Sequence, residues 1–377
     1  MHATGRFFKL VTLAAAASFG AYAAEGGAPT VVKIGAALSM TGAAAVYGGA
    51  QKSGIQAAVD DVNGSGSLKP LRLEVVFEDD ASKKEQGINV FQRFINQTKV
   101  SAIIGPTLST TATAADPIAQ QAKVPVLAIS NTAPTGITDI GEYIWRDSLT
   151  ERQVIPGAVK KARAKLGFKT AGVLYGNDDV FTKAGYDVMK QALESERVQI
   201  LETQTFAKSD RDFNAQLTAL KSKNPGILLV SALADNAASI VSQARQLGYT
   251  GPILGGNGFN SPAFIKNAGP AAEGVLVGTS WNSASQDPAN QTFRKSMEKR
   301  SVSPDQFTAQ AYAGVVIIAE AIKQAGMKVG REDIRAGFAK VHDLPTPLGK
   351  FSFTPSRDAE HEPSVQQVRG GKFEILQ

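Results

Sequence analysis

The chain has 377 residues, a formal net charge of +6 from 40 Lys and Arg against 34 Asp and Glu, and no cysteine. Lack of cysteine excludes a disulfide framework, a thiolate metal site and a thiol nucleophile, and basic residues scattered among other types, as in KKARAKLG and EKRSVSP, with few aromatics between them, argue for solvated faces and against a nucleic-acid surface. The length exceeds what one hydrophobic core usually serves, so two domains are expected.

Residues 1–23 read as a cleavable secretory signal. Arg6 and Lys9 make a positive start, residues 10–24 are apolar or small, and Ala21-Tyr22-Ala23 supplies the small-x-small cleavage pattern. Removing them leaves 38 basic against 34 acidic residues. No other stretch approaches the roughly 20 apolar residues of a membrane anchor, and no cysteine is present to carry a lipid. The expected location is the periplasm, without a lipid anchor.

Strands and helices then alternate. A strand at 31–38 precedes a helix at 48–63, where Ile55, Ala58, Val59 and Val62 recur at helical spacing, and a second strand at 71–77 precedes a helix at 82–97. The apolar run 100–104 reads as a buried strand that stops at Gly105-Pro106, after which Thr107, Ser109, Thr110 and Thr111 open a helix through 121. The next strand, 124–129, ends at Ser130-Asn131-Thr132. Two neighbouring parallel strands thus bring hydroxyl-bearing turns to one sheet edge, where open α/β sheets bind ligands and where free N–H groups suit an anion.

After Thr150 the series restarts, with helices expected at 151–166, 183–195, 213–223 and 236–247 and strands at 170–175, 198–205, 226–231 and 252–255. A strand at 275–279, helices at 288–300 and 307–325, and a terminal hairpin around Gly370-Gly371 complete the chain.

The stretch IGPTLSTTATAADPIAQQAKVPVLAISNTAP resembles the matching part of the periplasmic leucine/isoleucine/valine-binding proteins. That resemblance implies an α/β fold of two doubly wound lobes with parallel sheets, joined by a three-strand hinge that closes on a ligand, as in type I periplasmic binding proteins. It puts residues 24–150 and 281–349 in an N-terminal lobe and 151–280 and 350–377 in a C-terminal one, with crossings near Thr150, Ser280 and Gly349. It implies that Ser109, Ser130 and Thr132 grip a ligand carboxylate. Tyr47, in SMTGAAAVYGG, and Phe181, in LYGNDDVFTKAG, fall where the family closes aromatics over the ligand, and Phe307, in SPDQFTAQ, where an aromatic meets its side chain.

Two positions depart from the family. Leu233, in SALADN, stands where the leucine-binding relatives have a tyrosine, and Asn257, in LGGNGFNSP, where they have an acid. An α-ammonium needs a carboxylate, because a sequestered unpaired charge costs several kcal/mol. Asp178, Asp179 or Asp235 is the expected replacement; failing that, the ligand is an aromatic or aliphatic carboxylic acid. Trp281 reads as either hinge packing or cleft rim.

The implied function is the solute-binding component of an ABC importer, capturing a small carboxylate-bearing ligand, a branched-chain or other apolar amino acid, as a monomer that meets an inner-membrane permease. A periplasmic sensor for a membrane receptor is the alternative from another class. No dinucleotide fingerprint, phosphate loop or nucleophile elbow occurs, and His342 and His361 have no acid-base partner legible in sequence, so neither an enzyme, a cofactor nor a metal is expected.

Overall fold

Residues 1–2 and 30–376 are described by the computed structural model, so the secretory signal expected at 1–23 falls almost wholly outside them. Among the described residues no helix is long and apolar enough to cross a membrane.

The first sheet is parallel throughout, in the order β2-β1-β3-β4-β5, with β1 at Thr30–Leu38, β2 at Leu71–Asp79, β3 at Ala102–Ile104, β4 at Val126–Ala128 and β5 at Ile144–Arg146. Both faces are covered, which is why its strands are apolar on both sides. Val32, Ile34, Ala36 and Leu38 of β1 face one hydrophobic cluster, shared with α1 (Ala45–Ser65) and α10 (Gln306–Gln324), while Ala37 faces another. That second cluster draws on α2 (Lys84–Arg93) and α3 (Ser109–Gln121).

The second sheet runs β15-β14-β10-β9-β8-β6-β7. Its parallel part comprises β6 (Thr170–Gly176), β7 (Gln199–Phe206), β8 (Ile227–Ser231), β9 (Ile253–Gly255) and β10 (Leu276–Thr279). Strands β14 (Ser364–Arg369) and β15 (Lys372–Ile375) add antiparallel edges. Leu228 and Val230 pack under α6 (Asn214–Ser222) and α7 (Ala234–Gln246), whereas Ile227 and Leu229 pack under α4 (Glu151–Leu166) and α5 (Val180–Ser195). Both sheets are therefore doubly wound. Helix α4 starts sharply because Thr150 and Gln153 form a reciprocal capping box, and stops at Gly167 in the left-handed conformation.

The chain passes from the first sheet's side to the second at 147–150 and returns at 280–287. The last passage differs from the one expected at Gly349. Strands at Gly349–Phe353 and Ala359–Glu360 stay with the first cluster, where Phe351 and Ala359 are buried and the Phe353 ring lies 4.8 Å from Trp145, so the passage falls after Glu360. A short antiparallel sheet with Leu344–Thr346 holds these strands there, with Phe351 buried and Phe353 partly buried against the first cluster.

Candidate functional site

The site is built on strand ends. β3 stops at Gly105, whose φ is +108 and where any Cβ would meet the Ala37 carbonyl oxygen at 2.2 Å, so only glycine lets the turn lie against β1. Thr107, Leu108 and Ser109 follow, and β4 delivers Ser130, Asn131 and Thr132 beside them. One amide fixes both turns: Gln51 of α1 accepts from Thr107 Oγ1 at 2.7 Å and donates Nε2 to Ser130 Oγ at 2.7 Å. Behind the second turn, the fully buried Arg146 guanidinium donates to the carbonyls of Asn131 at 2.9 Å and Ala133 at 2.6 Å and to Asp358 at 2.8 Å. These bonds order the turns before any ligand arrives.

Opposite stand the ends of the second sheet's strands. Phe181 begins α5, Leu233 precedes α7, and Asn257-Gly258 follow β9; Gln306 and Phe307 begin α10. Together with Tyr47, Thr107, Leu108, Ser109, Ser130 and Thr132, these side chains enclose about 360 Å³ of atom-free space, part of it open to solvent. Gly258 lets the far wall approach, because a Cβ there would meet the Ala232 carbonyl oxygen at 2.2 Å.

Aromatic rings form much of the apolar lining. The Tyr47 and Phe307 rings lie 4.4 Å apart between centroids, tilted by 36°. The Tyr47 hydroxyl spans the cleft, donating to the Gly258 carbonyl at 2.7 Å and accepting from the Ala234 N–H at 2.6 Å. Burial keeps this phenol protonated by raising its pKa.

The three serine and threonine hydroxyls at the expected carboxylate site differ in what they have left to offer. Helix α3 has no side-chain cap, so Ser109 is not spent as one; its Oγ accepts only a 3.5 Å contact from the Ala133 N–H, and its proton is free to donate. Ser130 Oγ instead donates to the Thr107 carbonyl at 2.7 Å. Thr132 Oγ1 donates to Glu151 Oε1 at 3.0 Å.

Of the ten residues expected at the site, Tyr47, Ser109, Ser130, Thr132, Phe181, Leu233, Asn257 and Phe307 come together around this cavity. The two aspartates do not. Asp178 is exposed and accepts the Lys208 N–H at 2.9 Å, outside the cavity. Asp179 caps α5 through Thr182 N–H at 3.2 Å and accepts from Thr110 Oγ1 at 2.7 Å, joining the two sides of the cleft as a latch. Asp235 is exposed in the first turn of α7. Trp281 packs into the first cluster, its indole N–H donating to Asn290 Oδ1 at 2.9 Å.

Thr107 was expected in the hydroxyl-bearing turn though not singled out as a ligand residue; sequence reading missed Leu108, Gly258 and Gln306 in the lining, Gln51 behind it, and one acid. Glu151 is fully buried at the start of α4, its Oε1 accepting from Thr132 Oγ1 and, at 2.9 Å, from Asn257 Nδ2. Among the described residues its Oε2 makes no hydrogen bond of normal geometry, although the Asn257 backbone N–H lies near enough to favour the charged form. Burial pushes its pKa up to about 7 against the pull of the Asn257 and Thr132 hydrogen bonds. Asn257 Oδ1 accepts in turn from Gln306 Nε2 at 3.2 Å, and Gln306 Oε1 accepts from Thr279 Oγ1 at 2.9 Å and Ser280 N–H at 2.7 Å. A polar chain therefore joins the second turn, the first passage, the far wall and the second passage. Gln51 was detectable as a polar residue on the buried stripe of α1; Glu151 was not, since acids are ordinary in a helix's first turn. Among the described residues no group of three or more His, Asp or Glu is placed to hold a metal.

A family profile described as periplasmic binding protein matches residues 31–372. The leucine-, isoleucine-, valine-, threonine- and alanine-binding protein of Pseudomonas aeruginosa is 27% identical over 360 residues, covering 95% of this chain and 94% of its own. Among solved structures, the leucine-binding protein of Thermotoga maritima superposes with a TM-score of 0.85 at 29% identity, covering 92% of this chain and 98% of its own. A branched-chain amino acid transporter substrate-binding protein of Streptococcus pneumoniae, in complex with isoleucine, superposes with a TM-score of 0.86 at 27% identity, covering 92% of this chain and 99% of its own.

Proposed function

This chain belongs to the periplasmic binding protein family, and we propose that it is the solute-binding component of an ABC importer that captures one apolar amino acid, of the branched-chain type, between its two sheets. The observation that carries this reading is the convergence of Ser109, Ser130 and Thr132 at the ends of β3 and β4, facing the apolar wall of Tyr47, Phe181, Leu233 and Phe307 within one small cavity. Polar turns at strand ends take the charged end of a ligand, and the aromatic and aliphatic wall takes an uncharged side chain. Leucine, isoleucine and valine are named for the Pseudomonas relative, and isoleucine occupies the Streptococcus structure.

In this reading two lobes, divided by the three passages, rotate about those passages to open and close, and the closed form meets an inner-membrane permease. Family membership and the expected secretory signal support a periplasmic location, with the protein acting as a monomer. A thermal-shift screen of amino acids against aromatic and aliphatic carboxylates tests the ligand class, since a ligand held only by the folded state raises the melting temperature. Branched-chain amino acids are expected to give the largest rise; a rise confined to acids without an amino group would overturn the reading.

A further inference from the structure

We infer that Glu151 sets the ligand class of the cleft by supplying the buried negative charge that an α-ammonium needs and that Asn257 lacks, an inference that rests on the amino-acid reading. None of the acids expected for that role fills it: Asp178 and Asp235 are exposed, and Asp179 is engaged by Thr110 and Thr182; buried Asp305, beside the lining, is spent capping α10 through Thr308 N–H. Glu151 stands directly behind the lining, with Oε1 3.0 Å from Thr132 Oγ1 and 2.9 Å from Asn257 Nδ2, both cavity residues. A first-turn acid serving only its helix is ordinarily exposed, where water solvates it. This one is sealed from solvent, and among the described residues its second oxygen makes no hydrogen bond of normal geometry, with only the nearby Asn257 backbone N–H to favour its charge.

That arrangement is costly to the protein alone. An ionised carboxylate without a cation is disfavoured in a dry site, and no charged side chain contributes to the balance at Glu151, where only burial and the Asn257 and Thr132 bonds act. A cationic ligand group is the missing counterpart.

Hydrogen-bond polarity agrees. Thr132 commits its proton to Glu151 and so offers lone pairs to a ligand N–H, while Ser130, which donates to the Thr107 carbonyl and already accepts from Gln51, has one lone pair left for the same role. Ser109 keeps its proton and suits a carboxylate. A donor on one side and acceptors backed by a negative charge on the other are complementary to a zwitterion. A nitrogen bonded to Thr132 at ordinary distance lies within about 6 Å of the carboxylate. At the effective dielectric of a buried site, attraction over that span is worth on the order of a hundredfold in affinity. The same charge repels a carboxylate that brings no ammonium.

The test compares leucine with 4-methylpentanoate, the same skeleton without the amino group, by calorimetry at pH 8 on the wild-type chain, Glu151→Gln and Glu151→Asp. Wild type is expected to prefer leucine. Glu151→Gln should lose leucine by about a hundredfold while holding 4-methylpentanoate equally or more tightly, and Glu151→Asp should recover part of the preference. A merely structural role would weaken both ligands together, and that result, or leucine bound by Glu151→Gln as by wild type, overturns the inference while leaving the amino-acid reading intact. A wild type that takes 4-methylpentanoate and ignores leucine and the other apolar amino acids overturns that reading, and the role of Glu151 with it. Should Glu151→Gln fail to fold, the wild-type pH profile decides: as pH falls from 8 to 6, affinity for leucine drops and affinity for 4-methylpentanoate rises, whereas parallel profiles overturn the inference.

Discussion

The Tyr47 hydroxyl donates to the Gly258 carbonyl at 2.7 Å, tying α1 of the first sheet's side to the turn after β9 on the second. The same oxygen accepts the Ala234 N–H at 2.6 Å, so one phenol bridges two strand ends of the far wall. In the proposed hinge motion, opening the cleft would break both bonds, so closure is coupled to this side chain. Tyr47→Phe keeps the ring against Phe307 and removes both bonds. It should weaken ligand binding by about 1–3 kcal/mol, because the Gly258 and Ala234 backbone groups lose a buried partner. Calorimetry on the variant, with its melting temperature in the absence of ligand close to wild type, checks this.

Ser109 and Ser130 should respond differently to alanine. Ser109 has a free proton and little internal engagement, so Ser109→Ala should cost about 1–3 kcal/mol of ligand affinity and little stability. Ser130 is held by Gln51 and holds Thr107, so Ser130→Ala should lower the melting temperature as well as affinity. Parallel titrations and melting curves separate the two.

Arg146 fixes the second turn from within the core. Its guanidinium is buried, and removing it leaves Asp358 and the carbonyls of Asn131 and Ala133 without donors. Arg146→Met should cost about 3 kcal/mol of stability, at the lower end for a broken buried pair because Asp358 is partly exposed. Denaturant unfolding measures it.

Glu151 makes a signed pH prediction. Its pKa rises from the ordinary carboxylate range to about 7 in the folded protein, so between pH 4.5 and 7 the folded state binds more protons than the unfolded. Its contribution to stability is present below the unfolded pKa and declines as pH rises through that window, by at most about 1.4 kcal/mol per unit. Burial raises the Asp305 carboxyl to about 6 with the same sign, whereas His361, lowered to about 4, acts oppositely. The difference between wild type and Glu151→Gln isolates the Glu151 share. Leucine binding near pH 7 should release roughly half a proton, read from calorimetry in buffers of different ionisation enthalpy.

Much of this was legible in the sequence. Helix α4 was expected at 151–166 and lies there, because Thr150 and Gly167 mark its ends locally. The hydroxyl turns after β3 and β4 were legible for the same reason, since an apolar strand run broken by Gly-Pro or Ser-Asn-Thr declares its end. The three-residue strand β5, the helix at Arg331–Phe338 and the small sheet at 344–360 were not, being too short to show a period. Glu151 was hidden differently. Its partners Thr132 and Asn257 lie 19 and 106 residues away, and no local pattern distinguishes an acid turned into a cleft wall from one facing water. Asp178 and Asp179 drew attention by adjacency to a strand end, yet one points outward and the other caps α5.

Hinge closure predicts a change of shape. Small-angle scattering should give a smaller radius of gyration with saturating leucine than without it, and equal radii at saturation would remove the closing motion.

The most direct measurement is a calorimetric titration of leucine into the protein after any carried-over ligand has been stripped by unfolding and refolding. One leucine bound per chain, displaced by isoleucine and valine and weakened by Ser109→Ala, is the predicted result. No heat with any apolar amino acid, from a protein that melts cooperatively and binds an aromatic or aliphatic acid instead, would contradict the account.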